Sequence, residues 1–322
     1  MRTQRTGRGR SLSGHYRRDV VSSSKPGSVV RHVFACGMSR SGTTLLTTIL
    51  DSHPEISMGY ELLAPRGLGT IDEARAHLRE AAAATRPATA VLLESPATEP
   101  LGRLLVNCNQ VGAGHRAVDR ALAALGGDGH RRLDDLATKV QLALALVDRK
   151  RSREGTRVSG FKLNTSKAAI VHDMLPDSAF VYIVRDPRDM AASQLRRGFE
   201  RSVAHMATAW NRYLRRYRRL CDDHPERAAI VRYEDLVRQP DTELDRIFGT
   251  VGVEAHPDAR RFFESKATIH GSRHNNAPRV GQDLSSSSIG RWRSDLSAWQ
   301  ARSIRSICGK GMRSLGYGKD VV

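Results

Sequence analysis

Five short apolar runs punctuate the chain, at 30–36, 56–58, 158–163, 180–184 and 229–231. They are hydrophobic nearly throughout, with no strict alternation, which predicts strands covered on both faces, as in a parallel sheet. Between them, apolar residues recur every three or four positions. This spacing predicts helices at about 42–52, 72–85, 133–151, 204–221 and 296–315. The first stops before His53-Pro54, as a proline requires, and the last ends at Gly316. Strands alternating with helices predict an α/β fold around a mostly parallel central sheet. Residues 64–155, between the second and third runs, form a helical insertion broken by the loop Gly126-Gly-Asp-Gly129. Such an insertion at the C-terminal edge of a sheet is expected to shape a substrate pocket. Trp210, Tyr213, Leu214, Tyr217 and Leu220 share one helix face, with arginines on the other, and read as a core-facing stripe.

Composition narrows the class. With 322 residues the chain can bury a large core, and we expect one domain over 31–322 after a basic, unstructured tail at 1–30. No run reaches 18 apolar residues, and the basic N-terminus has no apolar core of a signal peptide, although its Arg- and Ser-rich composition is also that of a transit peptide. The expectation is a protein without a transmembrane segment, cytoplasmic in location. Cys36, Cys108, Cys221 and Cys308 are widely separated and show no zinc-site spacing. Net charge is +18, and residues 1–31 hold eight Lys/Arg against Asp19 alone. The remainder is basic too, notably Arg196 to Arg219. A polyanionic ligand explains such a surface. Nucleic acid is not the expected partner, because aromatics make up only 5% and no stacking motif interleaves with the charge.

The candidate chemistry begins at Val33-Phe-Ala-Cys-Gly-Met-Ser-Arg-Ser-Gly-Thr-Thr-Leu-Leu46. A strand runs into a Gly-bounded turn and then into a helix, aiming backbone amides and a helix N-terminus at one point, the makings of a phosphate site. Gly37 and Gly42 have the separation of a nucleotide P-loop. Thr43 stands where that loop has lysine, and the cation, Arg40, lies inside the turn. The second segment is Phe180-Val-Tyr-Ile-Val-Arg-Asp-Pro-Arg-Asp-Met-Ala-Ala-Ser193. Arg185 ends a strand, Pro187 opens a helix, and Ser193 falls two turns in. Arg185 can clamp a phosphate and Ser193 can donate to it. Arg188 and Asp189 are open to an ordinary surface pairing, and a kinase reading would take Asp186 as its metal-binding acid.

Together these segments resemble the sulfotransferases that use 3′-phosphoadenosine 5′-phosphosulfate (PAPS). Arg40-Ser-Gly-Thr-Thr44 is similar to that family's 5′-phosphosulfate loop, and Arg185 with Ser193 to its 3′-phosphate motif. Ser285-Ser-Ser-Ser-Ile-Gly-Arg-Trp292 is similar to its late nucleotide-closing loop, and Val231-Arg-Tyr-Glu-Asp-Leu-Val237 to its usual strand-to-helix segment. The resemblance spans about 31–318. It implies a P-loop-like three-layer fold and a site in which Arg40, Ser41, Gly42, Thr43 and Thr44 bind the 5′-phosphate. It further implies that Arg185, Ser193, Ser286 and Arg291 bind the 3′-phosphate. Lys162 corresponds to the lysine that approaches the transferring sulfonate. PAP would be the product, and no metal is expected. The segment Leu50 to Glu61 is similar to tyrosylprotein and related sulfotransferases, in which the glutamate at the position of Glu61 is the base. That branch has Glu-Glu-Thr-Arg where this chain has Tyr60-Glu61-Leu62-Leu63, and the missing arginine counts against peptidyl tyrosine as acceptor. The acceptor class stays open among small molecule, glycan, lipid and peptide hydroxyls. Glu94, Glu99 and His205 remain as alternative bases, and His53, in a His-Pro turn, reads as structural. A P-loop kinase and a non-catalytic PAP- or nucleic-acid-binding protein are the rival functions.

Overall fold

A computed structural model describes residues 29–126, 130–163, 168–198, 202–261 and 286–317. The expected tail up to residue 28, and Ser285 of the late loop, lie outside the described residues. Among the described residues, five strands form one parallel sheet: β1 (His32–Gly37), β2 (Ile56–Gly59), β3 (Val158–Leu163), β4 (Ala179–Val184) and β5 (Ala228–Arg232). Their order across the sheet is β2-β3-β1-β4-β5, with every adjacent pair parallel. Register pairs Phe34 with Phe161 and with Phe180, and Cys36 with Leu163 and Tyr182. The three central strands therefore end side by side, and β1 is the point from which connections leave in opposite directions. In open α/β sheets that crevice is where ligands bind.

Alternation along β1 separates two cores, as two-sided burial requires. Val33 and Ala35 face one side, with α1 (Thr43–Asp51) and later helices over them. Phe34 and Cys36 face the other, in a larger core that includes most of the insertion. The insertion holds α2 (Ile71–Ala83), α3 (Ala88–Leu93), α4 (Glu99–Gln110), α5 (His115–Leu125) and α6 (Leu136–Glu154). The sequence pattern announced only the first and last of these. Pro87, Pro100 and Gly112 break the span between them into short helices whose periodicity is hard to read. Gly102 allows α4 to sit close on α3, since a Cβ there would lie 2.9 Å from Leu93 Cγ.

Beyond β3 come α7 (Ala168–Met174), α8 (Pro187–Arg196) and α9 (Val203–Asp223). After β5 follow α10 (Tyr233–Arg238), α11 (Pro240–Val251) and α12 (Pro257–Arg260). A short 3-10 turn (Ser286–Ser288), α13 (Trp292–Asp295) and α14 (Ala298–Ser314) close the chain. Trp210, Leu214, Tyr217 and Leu220 are buried on α9, so the aromatic stripe is core, as its spacing predicted. Asn211 donates to Ile307 O, and Arg218 donates to Ser314 Oγ seven residues further along both helices. That constant offset means α9 and α14 run parallel.

Candidate functional site

The loop between β1 and α1 gathers the first half of the site. Arg40 has φ 73° and Gly42 φ 105°, two left-handed residues that reverse the chain within a few positions. Ser41 closes the turn, its amide and its Oγ donating to Met38 O at 3.1 and 2.8 Å. The first intrahelical bond of α1 runs from Leu46 N to Gly42 O. The amides of Thr43, Thr44 and Leu45 therefore head the helix without an intrahelical acceptor, at the positive end of its dipole. Glycine is required twice here. A Cβ on Gly37 would lie 2.8 Å from Ile183 O, and one on Gly42 would lie 2.8 Å from the Tyr233 ring.

β4 and α8 supply the second half. Arg185 is buried at the tip of β4, its guanidinium donating to Arg40 O at 3.4 Å and to Ser288 O. It also sits over the Tyr233 ring, 4.6 Å from the centroid. Arg40 Nε donates to Ser193 Oγ at 2.9 Å, joining the two sequence motifs across 153 residues. Burial, then the nearby Arg197 and Arg185 guanidinium groups, lower Arg40 from its ordinary value. Cations crowded this way, in a partly desolvated crevice, repel one another and suit an anion between them.

The tips of β2 and β3 meet on the other side of β1. Lys162, 6% exposed, donates through Nζ to Glu61 Oε1 at 2.9 Å and to Tyr60 Oη at 3.1 Å. Tyr60 Oη is 3.3 Å from Thr44 Oγ1, on the first turn of α1. Glu61 has φ 41° and is partly exposed, and Asn107 of the insertion donates to its carbonyl at 3.1 Å. Lysine and carboxylate thus face one crevice with the phosphate-type loop.

The late loop folds onto α8 through a residue that the sequence left open to a surface pairing. Asp189 is 2% exposed and accepts from Gly290 N at 2.8 Å and Trp292 N at 2.9 Å. Burial pushes its carboxyl up, and the two amides pull it back. Arg188 pairs instead with Asp186, through Nε to Oδ1 at 3.0 Å and through a terminal nitrogen to Oδ2 at 2.7 Å, and stacks on Trp292 at 4.0 Å. Asp186, whose backbone N–H is held by Glu234 at 2.9 Å, therefore gives both oxygens to an arginine. Among the late serines, Ser288 reaches the crevice, its Oγ 2.8 Å from Tyr233 Oη, whereas Ser286 is exposed. Arg291 is tied to Asp295, 3.0 Å from its Oδ2.

The alternative bases stand elsewhere. Glu94 pairs with Arg86, which holds its carboxyl below the ordinary range, and Glu99 pairs with Arg103. His205 lies in the first turn of α9, where its amide donates to Ser202 Oγ. His53 is structural: one nitrogen accepts from Glu55 N at 3.1 Å and the other is 2.7 Å from Glu254 O. Among the described residues, no group of three or more His, Cys, Asp or Glu side chains could hold a metal ion. Tyr60, Asp189, Tyr233 and Glu234 are the site residues that sequence reasoning left without a role. Only their positions beside the named residues could have signalled them.

A model of the sulfotransferase family matches residues 32–258. A putative protein-tyrosine sulfotransferase of Caenorhabditis briggsae is 25% identical over 67% of this chain and 63% of its own length. Protein-tyrosine sulfotransferase 2 of Gallus gallus is 25% identical over 69% of this chain and 51% of its own. The chain thus matches about half to three-fifths of those relatives. The sulfotransferase domain of the Synechococcus PCC 7002 olefin synthase shares the fold, with a TM-score of 0.55 at 20% identity over 89% of this chain and 97% of that one. A sulfotransferase domain from the curacin biosynthetic pathway does so at 0.51 and 16%, over 90% and 99%. The relatives correct one expectation. A cytoplasmic location rested only on missing sorting signals, and protein-tyrosine sulfotransferases are Golgi-resident type II membrane enzymes. Among the described residues, no helix is long and apolar enough to cross a membrane. With the family model covering the loop, the β3 lysine and the β4 arginine in one match, the chain belongs to the sulfotransferase family.

Proposed function

We propose that the chain transfers a sulfonate group from PAPS to a hydroxyl acceptor and releases PAP. The observation that carries this reading is the convergence of Arg40, Arg185 and Lys162 with the α1 amides at the tips of three parallel strands. The residues fit the nucleotide in kind. Arg40, Ser41, the amides of Gly42 to Thr44 and the hydroxyls of Thr43 and Thr44 would hold the 5′-phosphosulfate. Arg185 and Ser193 would hold the 3′-phosphate, with Arg291 and Ser286 of the late loop as further ligands for it.

In the proposed step the S–O bond to the PAP phosphate breaks as the S–O bond to the acceptor forms. Glu61 takes the acceptor's proton, and Lys162 offsets charge growing on the bridging oxygen. Arg40 and the loop amides stabilise the departing PAP anion. Positioning and preorganised charge carry such a transfer, as in phosphoryl transfer. The acceptor is a hydroxyl compound. The relatives' names point to tyrosine, whereas Leu62-Leu63 in place of Thr-Arg removes a cation beside the base. A screen of small-molecule, glycan, lipid and peptide acceptors with labelled PAPS identifies the class.

Two measurements test the reading. PAP should raise the thermal midpoint saturably while ATP with Mg²⁺ does not, and the reverse pattern sinks it. Glu61→Gln should keep PAP affinity within about two-fold and lower turnover by about 100-fold, the scale of lost general-base catalysis. Turnover at the wild-type level would remove Glu61 from the role.

A further inference from the structure

We infer that Tyr60 is a positioning residue, one that orients the Lys162 ammonium beside the first turn of α1. The inference rests on the PAPS reading above and adds a residue to it. Tyr60 follows β2 and is only 2% exposed, packed with apolar residues of the smaller core. Its hydroxyl is buried and needs partners. Lys162 Nζ lies at 3.1 Å from it and Thr44 Oγ1 at 3.3 Å.

Donor chemistry sets the polarity of the contact with Lys162. An ammonium only donates, so Tyr60 Oη accepts from Lys162. Thr44 Oγ1 lies 3.3 Å from the same oxygen, a contact in which either hydroxyl can donate. Lys162 contributes one N–H to Tyr60 and one to Glu61 Oε1 at 2.9 Å, which leaves its third for an incoming group. The Tyr60 ring adds to the restraint, lying 4.4 Å from Nζ at its centroid. Phenylalanine would fill the same space without setting any of these directions.

Tyr60 itself is held from behind. Two residues earlier, Met58 N donates to Asp51 Oδ1 at 2.5 Å and Met58 O accepts from Lys150 Nζ at 3.0 Å. Strand, helix α1 and helix α6 thus fix the base from which the phenol points. The predicted consequence is specific to the sulfonate: without the Tyr60 hydroxyl, PAP is recognised as before, but Lys162 grips the additional sulfonate less well.

The test is the ratio of PAPS to PAP affinity, measured by calorimetry on the full chain in a double-mutant cycle of Tyr60→Phe and Lys162→Ala. Tyr60→Phe should leave PAP affinity within about two-fold and lower the preference for PAPS by about three- to ten-fold. The double variant should lose no more preference than Lys162→Ala alone, because Tyr60 acts through that lysine. A Tyr60→Phe ratio equal to wild type, or losses that multiply in the double variant, overturns the role. Tyr60→Leu serves as the packing control, with a lowered thermal midpoint expected. A wild-type chain that gains no protection from PAP overturns the parent reading and Tyr60's role with it. A protected wild type with multiplying losses overturns Tyr60's role alone.

Discussion

At the scale of single residues, Gly42 carries the sharpest demand. Its φ of 105° is costly for any side chain, and a Cβ would stand 2.8 Å from the Tyr233 ring and 3.0 Å from Ile183 Cδ1. Gly42→Ala should destabilise the fold by about 1–3 kcal/mol, read from urea midpoints at constant slope. It should also weaken PAP, since the same residue heads α1. A neutral midpoint with wild-type PAP affinity would show that the turn relaxes at no cost. The placement of Arg40 and Thr43 between β1 and α1 was legible in the sequence, because a strand, a Gly-bounded turn and a helix leave the loop residues few places to fall. Asp189 was not. In sequence it neighbours Arg188, yet its partners are two backbone amides a hundred residues away, and backbone partners leave no trace in residue type.

At the scale of elements, β2 is anchored by a buried ion pair. Lys150 of α6 and Asp51 of α1 are 8% and 6% exposed in their side chains, and burial raises the Asp51 carboxyl against the pull of Lys150. Removing one partner strands the other, so Lys150→Ala should cost about 3–5 kcal/mol, against at most about 1 kcal/mol for the exposed pair of Arg103 and Glu99. Equal costs in urea unfolding would mean that water reaches Asp51. The strands were legible almost to their ends, because a doubly covered strand must be apolar throughout. The middle helices of the insertion were not, since their faces pack on one another and dilute the periodicity.

Helix α7 and His224, the residue just beyond α9, carry a second titratable contact. His172 stacks on His224 with ring centroids 3.8 Å apart, and its Nε2 is buried without a partner. Burial and His224 lower the His172 value below 6.5, while Asp173 and Glu226 raise it less. A base depressed in the folded state adds stability that is complete above its unfolded value, near 6.5, and is lost as pH falls through the folded one. Urea midpoints should therefore fall from pH 7.5 to pH 5.5 more in wild type than in His172→Phe, which keeps a stacked ring without the charge. Parallel losses in the two proteins would place the pH response elsewhere.

At the scale of the whole molecule, the net charge of +18 acts in two separable ways. Part of it is diffuse. Helix α14 has no acidic residue within Ala298–Ser314, and beside it α9 exposes Arg212, Arg215 and Arg219. Such a surface repels itself, and salt screens that repulsion over a Debye length of about 8 Å at 0.15 M. Another part is focused in the crevice, where Arg40 and Arg185 are partly or wholly withdrawn from water. Screening acts on the first, and a matching anion acts on the second. Sodium chloride should thus raise the thermal midpoint gradually, in wild type and in Arg40→Ala alike. PAP should add about 2.7 kcal/mol of stability at 100 times its Kd in wild type, a saturable gain that linkage demands of any ligand bound only to the folded state. In Arg40→Ala the PAP gain at the same concentration should largely vanish while the salt response remains. If Arg40→Ala instead loses both responses together, the crevice has no charge logic of its own, and PAP is bound as any polyanion would be by a basic surface.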